Sequence, residues 1–173
     1  IKMLRALSKR KTAPPAIFLP LAHTGKVELL VDIKQYLQSG KRLIFDGAMG
    51  TMLQRKGLPA GMIPEEVNFL HPEWLIDIHR EYLAAGAQVI TTNTFGANSH
   101  KLATTEHTEA ETVKAALDIA INARSERDDV FVAQDLGPIG QLMLPSGTLT
   151  FEEAYELYKE QVIAGEERAD FSL

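Results

Sequence analysis

Three short apolar runs along the chain each end in polar and glycine-rich residues. The runs cover about residues 42–46, 88–92 and 130–134, and they end at Asp46, Thr92 and Gln134. Runs of this length and composition are typical of buried strands. Because a segment at helical spacing follows each run, the order is strand, loop, helix, strand. This order predicts a parallel α/β fold.

Helical spacing of apolar residues appears between the runs. Val27 to Leu37 has this spacing, Gly40 is placed to end the helix, and the helix is expected to cover the bottom of a barrel. Pro72 begins a second helix that ends at Gly86. Its apolar face comprises Trp74, Leu75, Ile78, Tyr82 and Ala85.

Two capping boxes begin the later helices. Thr108 is followed by Glu111, and Thr150 by Glu153, which is the S/T-x-x-E pattern. Val113, Leu117 and Ala120 continue the apolar stripe of the first of these helices. The second helix ends at Gly165 and is expected to bury one apolar face. That face comprises Phe151, Ala154, Tyr155, Tyr158 and Val162. Residues 53–70 are predicted to be a loop, because Gly and Pro punctuate them, and residues 169–173 to begin a fourth strand.

Two architectures fit a parallel sheet. A doubly wound nucleotide-binding sheet requires G-x-G-x-x-G to open a helix after the first strand, whereas here a long loop is expected to separate Gly50 from the helix near residue 73. A (β/α)8 TIM-type barrel carries its chemistry on the loops after the strands, as three loops here do, but needs about 250 residues. The 173 residues therefore predict about the first half of such a barrel.

Composition excludes several classes of function. The net charge of −5 and the pI near 5.5 do not favour nucleic acid as a partner, and no apolar run approaches a membrane span of about 20 residues. The sequence has no cysteine, which is compatible with a reducing cytoplasm and excludes a thiolate metal site made by this chain alone. Residues 1–25 are basic and are expected to be a disordered extension, with a presequence as the alternative.

Four loop motifs carry a family resemblance. They are DGAMGT at residues 46–51, PEEVN at 64–68, TNTFGAN at 92–98 and GPIG at 137–140. In this order and spacing they resemble the homocysteine S-methyltransferase domain family, most closely the N-terminal homocysteine-binding module of cobalamin-dependent methionine synthase. The resemblance covers about residues 41–173, within a domain expected over 26–173. The third and fourth motifs look more like the cobalamin-dependent than the betaine-dependent branch.

The resemblance implies a (β/α)8 barrel that binds homocysteine for methyl transfer. In the family, zinc held by three cysteines binds the homocysteine sulfur and presents a thiolate, and methylcobalamin carries the methyl group. Cobalamin and folate modules accompany this domain in some members. The zinc ligands are expected beyond residue 173, so this chain alone is expected to lack the metal site and to be inactive.

Six residues are candidates for binding the amino acid. The resemblance favours Asp46 as the partner of the substrate ammonium, although an aspartate here also suits a turn or a helix cap. Gly47 and Ala48 could offer backbone N–H groups to the carboxylate, or could form a tight turn. The remaining candidates are Asn93, Thr94 and Asp135, with bracing or capping as the alternative, and Phe95 is expected to pack.

Other interpretations are weaker. The histidines at 71, 79, 100 and 107 lack the spacing of a metal motif. A non-catalytic half-barrel that dimerises or binds a partner is the alternative function, because a half-barrel leaves strand edges uncovered. A barrel enzyme acting on a phosphorylated substrate ranks last, because barrel phosphate sites usually follow strands seven and eight.

Overall fold

The computed structural model describes residues 33–125 and 127–173 of the chain. Within these ranges the chain alternates helices with short strands, and two turns of 3-10 helix lie at Pro64–Glu66 and Lys101–Thr104. The elements are α1 (Ile33–Gln38), α2 (Met49–Lys56), α3 (Val67–Leu70), α4 (Pro72–Ala84), β1 (Val89–Thr91), α5 (Glu109–Arg124), β2 (Phe131–Gln134), α6 (Phe151–Gly165) and β3 (Phe171–Ser172).

The three strands form one parallel sheet in the order β1-β2-β3. Val89 pairs with Phe131, and Ala133 pairs with Phe171. Helix α5 connects β1 to β2 and helix α6 connects β2 to β3, as parallel neighbours require. The parallel α/β class predicted from the sequence is therefore confirmed, and so are the strands near residues 89, 131 and 171.

The first apolar run pairs with the sheet but is not buried. Phe45 forms a single parallel bridge to Val89, and the Asp46 N–H donates to the Val89 carbonyl at 2.9 Å. Ile44 is 59% exposed and Phe45 is 42% exposed, so the prediction of a buried strand at 42–46 is wrong. The reason is position: the segment lies at an edge, where the described part of the chain pairs with it on one side only.

The prediction of a loop over residues 53–70 is also wrong. Helix α2 begins at Met49, and a 3-10 turn and α3 follow before α4. Gly57 has φ of 109° and ends α2 in the left-handed conformation, so this glycine is a helix signal. Leu53 and Val67 are fully buried against α4, and this packing overrides the local Gly and Pro signals. The long loop expected after Gly50 does not exist, although residues 46–51 still lack G-x-G-x-x-G.

The helix signals elsewhere are confirmed. Pro72 begins α4, and Gly86 follows its end with φ of 103°. Both capping boxes form: the Thr108 hydroxyl accepts from the Glu111 N–H, and the Glu111 carboxylate accepts from the Thr108 N–H at 2.8 Å. Thr150 and Glu153 repeat this arrangement at α6.

The main core lies between the sheet and helices α4 and α5. Ile90 and Val132 on the strands pack against Val113 and Leu117 of α5. The face predicted for α6 is wrong, because only Ala154 of its five residues is buried and Phe151 is 67% exposed. The buried residues of α6 are small or polar instead, namely Ala154, Gln161 and Gly165.

Helix α1 covers the amino-terminal end of the sheet. Tyr36 packs edge-to-face on Phe131, and its hydroxyl accepts from the Gln88 side chain at 3.0 Å. The predictions for residues 1–25 and for the first part of this helix, 27–32, lie outside the described residues. No helix in the described ranges is long and apolar enough to cross a membrane.

Candidate functional site

A cavity of about 750 Å³ lies at the carboxyl ends of the strands. We call it the rim cavity, because the loops that follow Phe45, β1 and β2 form its edge. Residues 47–51, 61–65 and 91–93 line it, together with Phe95, Lys101 and Asp135. The structure thus brings four of the six predicted site residues to its wall: Gly47, Ala48, Asn93 and Asp135. Loops at the carboxyl ends of parallel strands are the usual place for an α/β active site.

Asp46 is half-buried beside the cavity and is tied to β1. Its carboxylate accepts from the Thr91 N–H at 2.8 Å and from the Thr91 hydroxyl at 3.0 Å. Burial raises the pKa of Asp46 to about 6, although the hydrogen bonds from Thr91 act in the opposite direction. The carboxylate therefore has a bracing role as well as a position next to the site.

Asp135 adds a second carboxylate to this end of the sheet. Its backbone N–H donates to the Thr92 hydroxyl at 3.2 Å, and the residue is part of the cavity wall. Burial raises the pKa of Asp135, and its negative charge contributes to the raised pKa values of Asp46 and Glu65. Raised pKa values in a cluster of partly buried acids mark this end of the sheet as a candidate functional site.

Gly47 and Ala48 lead into the amino terminus of α2. Ala48 is the N-cap residue and has no side-chain acceptor for the first N–H groups of the helix. The Ala48 carbonyl accepts from the Tyr82 hydroxyl at 3.0 Å. A Cβ added at Gly47 would lie 2.9 Å from that hydroxyl, so a larger residue here would have to displace the Tyr82 side chain. The N–H groups at this helix end are therefore held in place beside the cavity.

Asn93 and Thr94 brace the loops. The Asn93 side chain donates to the Pro64 carbonyl at 2.8 Å and to Asn68 Oδ1 at 3.2 Å. The Thr94 hydroxyl donates to the Asp135 carbonyl at 2.7 Å. Thr94 itself is buried and does not line the cavity. The bracing alternative considered for both residues thus has direct contacts in its favour, and Asn93 also faces the cavity.

The sequence reasoning missed two charged residues of the cavity wall. Glu65 is buried, and its carboxylate accepts a short hydrogen bond from the Gly96 N–H. Lys101 lies over the Phe95 ring, with Nζ 5.3 Å from the centroid. Phe95 was expected to pack against its neighbours, but its side chain is 54% exposed and is therefore only partly packed. The PEEVN motif contains Glu65, so that motif was the available signal.

The described residues do not form a metal centre. No group of three or more His, Asp or Glu side chains within residues 33–125 and 127–173 could hold an ion. His79 is 1% exposed, and burial lowers its pKa to about 4, so it is a neutral core residue at pH 7. The other histidines do not converge with acids into a ligand set.

Comparison with known families identifies the chain. Residues 43–173 match the family model described as homocysteine S-methyltransferase. The chain belongs to the homocysteine S-methyltransferase family. The family expectation drawn from the four loop motifs is therefore confirmed.

Three curated proteins named betaine–homocysteine S-methyltransferase 1 are similar to this chain. The chain is 34% identical over 115 residues to betaine–homocysteine S-methyltransferase 1 of Bos taurus, covering 62% of this chain and 28% of that protein. The Sus scrofa protein of the same name is 34% identical, and the match covers 62% of this chain and 41% of that protein. The Danio rerio protein is 30% identical over 135 residues, with 75% and 33% covered. The chain thus spans less than half the length of each of these relatives.

A solved structure shares the fold. The homocysteine methyltransferase MmuM from Escherichia coli, in its metallated form, superposes with a TM-score of 0.67 at 22% identity. The match covers 80% of this chain and 55% of MmuM. The apo form of MmuM gives a TM-score of 0.57 at 25% identity, with 79% and 49% covered.

Proposed function

We propose that this chain is part of a homocysteine S-methyltransferase and that the rim cavity binds the amino-acid end of homocysteine. The observation that carries the proposal is the pairing, in one cavity, of acidic side chains with the amino terminus of a helix. Homocysteine has an ammonium and a carboxylate on one carbon, so it needs both kinds of partner side by side. Family membership supports homocysteine as the amino acid.

The ammonium is assigned to the acidic side of the cavity. Asp46 and Asp135 interact electrostatically, and burial disfavours the ionised form of each. A bound ammonium would offset that cost, because an opposite charge nearby favours the ionised form of a carboxylate. The hydrogen bonds from Thr91 fix the orientation of Asp46 before the ligand arrives.

The carboxylate is assigned to the amino terminus of α2. The first N–H groups of an eight-residue helix are available there, and the helix dipole favours an anion at this end. Gly47 and Ala48 have small side chains, which leave the backbone approachable. Asn93, Thr94 and Glu65 act indirectly in this proposal, since they hold the loops that shape the cavity.

Zinc chemistry does not fit the residues of this chain. The sequence contains no cysteine, and the described residues hold no cluster of metal ligands. Any zinc that the whole enzyme binds through cysteine would therefore take those ligands from outside these 173 residues. The contribution of this chain is to bind and orient the amino acid, and the chain alone is expected to be inactive.

The proposed architecture is the first half of a (β/α)8 barrel. Three parallel strands with intervening helices, and a fourth segment paired through Phe45, fit the first four units of such a barrel. Both edges of this sheet expose apolar side chains that further units would cover, since Ile44 is 59% exposed and Leu173 is 50% exposed. A cytoplasmic location belongs to the same proposal, since a thiol substrate suits a reducing compartment.

Methylcobalamin is the proposed methyl donor, on the strength of the TNTFGAN and GPIG motifs. Cobalamin and folate modules in the whole protein follow from that assignment. Betaine is the second candidate, because the curated relatives are named betaine–homocysteine S-methyltransferase. Supplying the whole enzyme with homocysteine and either donor separates the two: methionine formed only from methylcobalamin supports the first, and methionine formed only from betaine overturns it.

Calorimetry tests the binding proposal. L-homocysteine titrated into the full chain should bind saturably, with or without zinc, because the proposed contacts involve no metal. Asp135→Asn should weaken binding about tenfold or more by removing one charge partner. Asp129→Asn, an exposed acid paired with Arg127, is the matched control and should bind normally. Absence of binding, or equal binding by both variants, would contradict the proposal.

A non-catalytic half-barrel that dimerises is the second candidate function. The observation in its favour is the row of exposed apolar residues on α6, including Phe151 and Tyr155. Sedimentation velocity distinguishes the candidates: a well-folded dimer of fixed size that does not bind homocysteine supports this second function. Homocysteine binding by a monomer would contradict it.

A further inference from the structure

A second cavity, of about 510 Å³, lies where the amino terminus of α5 meets α6. We call it the helix cavity, and it shares no lining residue with the rim cavity. Leu102, Ala110, Ile163 and Ala164 provide a largely apolar wall. Its size is within the range of small-molecule sites, about 300–1,000 Å³.

Glu109 at the wall of this cavity is the unusual residue. It is only 9% exposed, and its Oε2 accepts from the Ser99 N–H at 2.9 Å. Its Oε1 is buried and has no hydrogen-bond partner within residues 33–125 and 127–173. A buried carboxylate oxygen without a partner is costly, and native structures normally satisfy such atoms. Glu109 is therefore an unmet acceptor at the edge of an apolar cavity.

The charges around Glu109 add to the cost of burying its carboxylate. Glu160 lines the same cavity, whereas no Lys or Arg of residues 33–125 and 127–173 is among its lining residues. Burial raises the pKa of Glu109 to about 7, and the nearby Glu160 raises it further in the same direction. His107, the other titratable group at the wall, stacks on Phe69 with ring centroids 3.5 Å apart. The described part of the cavity wall thus has two acids and no Lys or Arg to balance them.

We propose that the helix cavity binds a primary ammonium group carried on a short hydrocarbon chain. The ammonium donates to Glu109 Oε1 after a small side-chain adjustment and also to Glu160, while the hydrocarbon packs on Leu102 and Ile163. A divalent metal fits less well, because such ions require more oxygen ligands than two carboxylates supply. An anion is repelled by both acids. This site is independent of the homocysteine proposal.

The test uses the full chain and n-butylammonium chloride as the probe, followed by 1H–15N NMR. Saturable shifts are expected at the amides of Ala110, Ile163 and Ala164. 1-Butanol and sodium butyrate have the same hydrocarbon body without the cation, and each should bind at least about tenfold more weakly. Equal binding of butanol, or no saturable shift with butylammonium, would overturn the proposal.

Variants complete the test. Glu109→Gln keeps an acceptor for the Ser99 N–H but loses the charge, and should weaken butylammonium binding about tenfold. Glu156→Gln, on the exposed side of α6 and paired with Lys159, should leave it unchanged. Ala110 is exposed and lines the cavity, so Ala110→Leu should fold normally and fill part of the space. This variant should abolish butylammonium binding, and it tests the proposal even if Glu109→Gln does not fold. Unchanged binding in Ala110→Leu would overturn the proposal.

Discussion

The carboxylate of Asp46 holds the backbone and the hydroxyl of Thr91, with hydrogen bonds of 2.8 and 3.0 Å. The two residues are on neighbouring segments of the sheet, one following Phe45 and the other ending β1. The contact ties the first loop of the rim cavity to the second. It also keeps a partly desolvated acid next to the position proposed for a substrate ammonium.

Replacing Asp46 with Asn should weaken homocysteine binding while the chain still folds. Asn can still accept from the Thr91 N–H, so the fold should persist. The pKa of Asp46 is about 6 in the folded chain against 3.8 in the unfolded one, so the folded state takes up the proton first as the pH falls. The contribution of Asp46 to stability therefore increases from pH 7 towards pH 4 and is lost as the pH rises through 6.

Urea denaturation at pH 7.5 and pH 5.0 measures this difference. Wild type should gain stability relative to Asp46→Asn at the lower pH, and the variant should bind homocysteine more weakly at pH 7.5. If the stability difference between the two proteins is the same at both pH values, the assigned pKa shift is wrong.

Homocysteine binding should itself depend on pH. The proposed ammonium partners, Asp46 and Asp135, both have raised pKa values because of burial. Protonation of either removes an attractive charge, so the affinity should rise between pH 5 and pH 7.5. Calorimetric titrations across this range give the profile; an affinity that is flat, or that falls with pH, would exclude these acids as the ammonium partners.

Gly96→Ala should destabilise the loop after β1. A Cβ at this position would lie 2.8 Å from Glu65 Oε1, which is buried and hydrogen-bonded to the Gly96 N–H. Relieving the clash requires displacement of the carboxylate, at a cost of about 2 kcal/mol. Gly50→Ala is the matched control, because no atom of the described residues lies within 4 Å of its added Cβ. Because Gly50 lies in the exposed first turn of α2, the control should change the free energy of unfolding by no more than about 0.5 kcal/mol. A loss equal to that of Gly96→Ala would refute the steric argument.

Asp170 joins α5 to the sheet, and its removal should be costly. Its Oδ2 accepts from Arg124 at 3.0 Å and from the Val132 N–H at 2.6 Å. Asp170→Ala leaves both donors without this partner, and we expect a loss of about 2–4 kcal/mol in the free energy of unfolding. Asp129→Ala removes an exposed pair with Arg127 and should cost less than about 1 kcal/mol. Similar losses in the two variants would contradict this account.

The elements that were predictable depend on local pattern. The capping boxes at Thr108 and Thr150 and the helix signals at Pro72 and Gly86 are short-range, because each acts on backbone within a few residues. The apolar runs at β1 and β2 are buried on both faces and therefore have an unambiguous composition.

The missed elements depend on tertiary contacts. Helix α2 is stabilised by the burial of Leu53 against Leu75 and Ile78 of α4, which are more than twenty residues away in sequence. The Asp46–Thr91 and Glu65–Gly96 contacts join residues 45 and 31 positions apart, so no local pattern reports them. The inward face of α6 was misjudged because the hydrophobicity of its aromatic residues does not reveal which side the sheet and α5 cover.

The central claim is that acidic side chains and a helix amino terminus in one cavity bind both charged groups of an amino acid. The most direct measurement compares L-homocysteine with 4-mercaptobutanoate, which lacks only the ammonium, by 1H–15N NMR on the full chain. The account predicts saturable shifts at Gly47, Ala48 and Asp135 with homocysteine, and binding at least about tenfold weaker without the ammonium. Equal affinity for the two ligands, or shifts confined to residues outside the rim cavity, would contradict it.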